Sequence, residues 1–95
     1  MIQSQSIGEV NEMKTFIVHS DIPRDKLPNA SGWVLGVPRM LTEEGIKDVT
    51  FKTAYCCTPD KKVIAEFWGP DKEAVNKALS KIGMPVTAVM EATKV

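Results

Sequence analysis

Few side chains in this sequence are suited to chemistry: His19, the adjacent Cys56 and Cys57, and Tyr55, Glu66 and Trp68 on either side of a turn. Histidine is the side-chain type that exchanges a proton near neutral pH and ligates transition metals. A thiolate or carboxylate could complete its coordination, since one imidazole alone holds nickel or zinc weakly. If Tyr55 and Glu66 share a sheet face with His19 and one cysteine, they make a small polar group in a mostly apolar cavity. His19, Tyr55, Glu66 and Trp68 are therefore the expected ligand-binding residues, and His19 with Cys57 the expected metal-binding pair. A plainer reading stands beside each. His19 reads more readily as a hydrogen-bonded structural or surface histidine, one cysteine as a small core residue, and the group around Tyr55 and Glu66 as part of a plain dimer interface.

Other chemistries lack their signatures. There is no CxxC for redox or structural zinc, and no GxGxxG, P-loop, GxSxG or HExxH. The stretch F-K-T-A-Y-C-C lacks the basic-glycine start of an RNA-binding sheet motif. Lysine and arginine total 12 against 12 acidic residues, so no global field draws nucleic acid or anionic membrane. Neither a membrane span nor a signal-peptide core is present. Two neighbouring cysteines make no disulfide framework, and a reduced, cytoplasmic setting is expected.

These residues are positioned by a short list of elements. Lys14 to Ser20 alternates, with Thr15, Ile17 and His19 opposite Phe16, Val18 and Ser20, which predicts a strand. Between Arg24 and Gly45, Ala30, Trp33, Val34, Val37 and Leu41 have helical spacing. Pro38 removes an amide donor there, so a helix kinked or split near Val37 is expected, with Pro28 around its start. Val49, Phe51, Thr53, Tyr55 and Cys57 alternate with Thr50, Lys52, Ala54 and Cys56, predicting a second strand with the first set on one face. The turn Thr58-Pro59-Asp60-Lys61 leads to a third strand from Lys62 to Trp68, where Val63, Ala65 and Phe67 oppose Ile64, Glu66 and Trp68. Asp71 is placed to cap a helix over Ala74, Val75, Ala78, Leu79 and Ile82, which ends at Gly83, and Val86 to Val95 is extended again.

The order strand, helix, strand, strand, helix, strand is that of the α+β, ferredoxin-like βαββαβ sandwich. It predicts a four-stranded antiparallel sheet with two helices on one face. Residues 13–95 are read as this single domain and residues 1–12, which lack a burial pattern, as a flexible N-terminal extension. The other sheet face has no helix left to cover it, and a homodimeric α/β barrel closed by a second sheet is expected.

Within Tyr55 to Glu91, the runs A-E-F-W-G-P-D-K-E-A-V and K-I-G-M-P-V-T-A-V-M-E resemble a family of small ferredoxin-like proteins of uncharacterised function that includes a bacterial nickel-binding member. The resemblance covers roughly half the chain. It implies a dimeric α/β barrel and raises nickel or another transition metal as a cofactor. Many of those relatives carry a histidine in the second helix where this chain has Ala78. That leaves His19 as the sole imidazole, with Cys56, Cys57 or Glu66 as its helpers.

Three functions compete. The first is a homodimer that binds a small molecule or, weakly, a metal. The second is a cofactor-independent barrel enzyme, of monooxygenase or isomerase type, in which His19 and Tyr55 handle protons. The third is an interaction module that docks another protein on its open sheet face.

Overall fold

The computed structural model describes residues 13–93 and 95; the expectation of an N-terminal extension over residues 1–12 lies outside them. The strands are β1 (Lys14–Asp21), β2 (Thr50–Cys57), β3 (Lys62–Gly69) and β4 (Val86–Ala92). They form one antiparallel sheet in the order β2-β3-β1-β4. The helices α1 (Ala30–Leu35), α2 (Val37–Glu43) and α3 (Lys72–Lys81) lie on one face, α1 and α2 against β2, and α3 against β3 and β4. This is the ferredoxin-like α+β sandwich.

Alternation explains which face is covered. Phe16, Val18, Val63, Ala65, Phe67 and Val89 point toward the helices and are buried. Val34, Val37, Leu41, Val75, Ala78 and Leu79 meet them from above. Phe51 packs edge-on against Phe67, their ring centroids 5.4 Å apart, a favourable arrangement of aromatic quadrupoles. Ser20 is the buried polar residue of β1, and its hydroxyl donates to the Pro85 carbonyl at 3.0 Å. That bond ties the end of β1 to the start of β4.

The expected split in the first helical region falls at Gly36, between α1 and α2. Pro38 sits in the first turn of α2, where an amide donor would have no intrahelical partner, so its missing N–H costs little. Pro28 lies in a 3-10 turn (Arg24–Asn29) that precedes α1. After α2, the amide of Gly45 (φ +73°) bonds the Thr42 carbonyl and that of Ile46 bonds Leu41. After α3, Gly83 (φ +75°) and Met84 repeat the pattern on Ser80 and Leu79. Both helices thus end in the paired hydrogen bonds that favour a left-handed glycine. At its other end α3 is capped as expected, with the Asp71 carboxylate accepting from the Ala74 amide at 2.8 Å.

One expectation about faces is overturned. The β2–β3 register shifts between Phe51 and Thr53, so Lys52 is the extra residue of a bulge. Phe51 pairs with Phe67 on the helix side, whereas Thr53, Tyr55 and Cys57 lie on the open side. Strict alternation had placed Phe51 with Tyr55. An extra residue reverses the parity of everything beyond it.

Candidate functional site

The open face is a grid set by strand register. Tyr55, Ile64, His19 and Ala88 form one row, and Thr53, Glu66, Ile17 and Met90 the next. Cys57, Lys62 and Asp21 close one end, while Thr50, Trp68, Thr15 and Ala92 close the other. Ile17 and Ile64 make a half-buried aliphatic floor on the two central strands. Tyr55, Met90 and Trp68 stand more exposed around it, at 69%, 45% and 39% of their full surface. The centre of the open face is therefore apolar around Glu66 and His19, with Thr15, Thr50, Thr53, Tyr55 and the Lys62–Asp21 pair toward its margins.

Of the six residues singled out from sequence, all but Cys56 share this face, but they do not all converge. Trp68 and Glu66, two residues apart on β3, are joined directly: the Trp68 indole N–H donates to Glu66 Oε2 at 2.8 Å. The bulge at Lys52 adds a third member, bringing its ammonium 4.1 Å from the centre of the Trp68 ring. A cation over an indole face is attracted by the ring quadrupole and restrains the ring that holds Glu66. His19 lies diagonal to Glu66 across the β1–β3 pair, a separation of about 7–8 Å between neighbours of this kind. One ligand could touch both.

Tyr55 is in the same row as His19, with β3 between them, so roughly 10 Å separates their backbones. Cys57 is one row further, about 12 Å from His19 by the same spacings. The pair expected to hold a metal is not assembled within one chain. Among the described residues, no three of histidine, cysteine, aspartate and glutamate converge on a point. Cys56 points the other way, toward the helices, where it lines a groove of about 370 Å³ with Val34, Leu35 and Phe51. A larger cleft of about 460 Å³ lies between the Glu44–Asp48 loop and α3 and contains none of the expected residues.

His19 sits beside a second irregularity. The β1–β4 register shifts between His19 and Ser20, and Thr87 donates from its hydroxyl to the His19 carbonyl at 3.2 Å. Among the described residues nothing hydrogen-bonds the imidazole itself, so the structural role that competes for this residue has no bond here to carry it. The charged pair at the same end is self-contained, Lys62 Nζ meeting Asp21 Oδ1 at 2.5 Å.

Reasoning from sequence undervalued the floor and missed Lys52. Ile17 shares the parity of His19, and Ile64 that of Glu66, so the floor was available from alternation. Nothing local marks Lys52, because its place depends on the bulge.

No family model matches the chain, and no curated protein matches it. Among solved structures, a protein of Streptomyces coelicolor A3(2) known from a crystal structure is similar in fold, with a TM-score of 0.62 and 20% sequence identity. The match covers 85% of this chain and 98% of that one. At that identity the likeness speaks for the sandwich fold and for nothing in the site.

Proposed function

We propose that this protein is a homodimer that binds a small organic molecule on the open sheet face, beneath a second copy of the chain. The observation that carries the reading is the composition of that face. Ile17, Ile64, Met90 and Trp68 offer apolar contact around Glu66 and His19, with the hydroxyls of Thr53 and Tyr55 beside them on β2, a mixture of apolar contact and placed polar groups that suits a small-molecule site. A bare sheet leaves such a site open to water, so a roof is required. Four strands at about 4.8 Å spacing and eight residues at about 3.3 Å rise give a footprint of roughly 500 Å² per copy. Two copies face to face then bury about 1,000 Å², which reaches the lower bound for a specific interface. The resemblance of the stretch from Tyr55 to Glu91 to dimeric barrel proteins supports the same arrangement. An organic ligand is favoured over a metal, because His19 and Cys57 stand too far apart to chelate.

The test is the solution mass and its response to a charge on the face. Light scattering at micromolar concentration should give a dimer, and Met90→Lys should give a monomer with an unchanged circular dichroism spectrum. A monomeric unsubstituted protein would overturn the roofed-cavity reading and favour the interaction module.

A further inference from the structure

Resting on the small-ligand reading above, we infer that the open face selects molecules that carry an ammonium or comparable N–H donor next to a flat apolar body. Two carboxylates stand on that face among the described residues, Asp21 and Glu66. Asp21 is satisfied by Lys62 at the end of the sheet. Glu66 lies in the interior of the face on central strand β3, and among the described residues no cation comes within salt-bridge distance of it. Its Oε2 is held by the Trp68 indole, which orients the carboxylate along the face and leaves Oε1 without a hydrogen-bond partner among the described residues. The Lys52 ammonium lies over the face of the Trp68 ring and makes no salt bridge with Glu66.

The surroundings make that unpaired charge selective. Ile17 is directly across from Glu66, and Ile64 and Trp68 precede and follow it on the same side of β3. With apolar groups on three sides and Thr53 on the fourth, this carboxylate favours an opposite charge and disfavours a like one. A donor placed at Oε1 leaves the ligand's apolar portion over Ile17 and Met90, with Trp68 on one side and His19 on the other. An anionic ligand of the same shape would meet Glu66 directly, with the nearby Lys52 ammonium on the Trp68 face offsetting only part of the repulsion. Trp68 is a positioning residue in this arrangement, acting through the carboxylate it orients.

Three probes of one shape test the charge preference: 2-phenylethylammonium, neutral 2-phenylethanol and 3-phenylpropionate. Each is titrated into the ¹⁵N-labelled protein while the Trp68 indole N–H and the amides of Ile17, Ile64 and Glu66 are followed by NMR. The ammonium should shift these signals at the lowest concentration and the carboxylate at the highest. Glu66→Gln, folded by circular dichroism, should weaken the ammonium by roughly tenfold or more, the size expected for a charge-assisted hydrogen bond. Trp68→Phe should weaken it less and narrow the preference over the alcohol. Equal binding of all three probes, or full ammonium affinity in Glu66→Gln, would overturn the donor preference while leaving a small-ligand site in place. Failure of every probe to shift these signals would also overturn it. The mass from light scattering then tells whether the roofed cavity falls as well.

Discussion

Ser20 and His19 are neighbours on β1, and their side chains point to opposite faces with opposite consequences. Ser20 is fully buried and its hydroxyl donates to Pro85, whose carbonyl also accepts from the Asp21 amide at 3.1 Å. Ser20→Ala removes one of two donors to a carbonyl that keeps the other, so a loss of about 1 kcal/mol is expected in chemical denaturation. His19 is half-buried, and among the described residues no group bonds its ring. His19→Ala should therefore change stability by no more than about 0.5 kcal/mol, as surface substitutions generally do. The same variant should lose binding of 2-phenylethylammonium if the imidazole contacts the ligand beside Glu66. Unchanged affinity would remove His19 from the site, and a large drop in melting temperature would return it to a structural role.

At the scale of elements, helix ends and strand irregularities account for the placement of the site. The Asp71 cap and the Gly83 stop bracket α3 and hold its apolar stripe of Val75, Ala78 and Leu79 on β3 and β4. Asp71→Ala should destabilise the protein by about 1 kcal/mol, because the Ala74 amide loses its acceptor at the helix start. Asp71→Asn should recover most of that, which separates the hydrogen bond from the charge. Each edge strand carries an irregularity, the bulge at Lys52 in β2 and the register shift at Thr87 in β4. Such features twist an edge and discourage stacking by further strands. They disfavour growth of the sheet at its edges, which is compatible with the proposed pairing of open faces. The bulge in β2 also delivers Lys52 to Trp68, so one irregularity both blunts the edge and shapes the site.

At the scale of the whole molecule, a chain of 95 residues can bury only about 65% of its unfolded surface. Leaving Ile17, Ile64, Met90 and Trp68 uncovered forgoes part of that small core. A second copy would recover it, and a net formal charge of zero sets up no overall repulsion between copies. Folding and association would then be linked by mass action. The melting temperature of the unsubstituted protein should rise with protein concentration across the micromolar range, while that of Met90→Lys should not. A concentration-independent transition in both would count against the dimer.

Much of the architecture was legible because it rests on short-range rules. Alternation in β1 and β3, helical spacing over Val75 to Ile82, the Asp71 cap and the glycine stops each act within a few residues. Together they specified the element order and hence the sandwich, whereas the sharing of one face by His19, Glu66 and Trp68 stood as a condition that the β1–β3 register fulfils. The interior of the site follows other rules. The bulge at Lys52 comes from how β2 pairs with β3, and an extra residue in a strand leaves no mark in the residue types around it. For that reason alternation misassigned Phe51, and Lys52 went unnoticed. The Trp68–Glu66 bond, the Lys52–Trp68 contact and the separation of His19 from Cys57 depend on register between strands. Register is settled when the whole sheet packs against its helices, because burying Phe16, Val63 and Phe67 outweighs the preferences of any single strand.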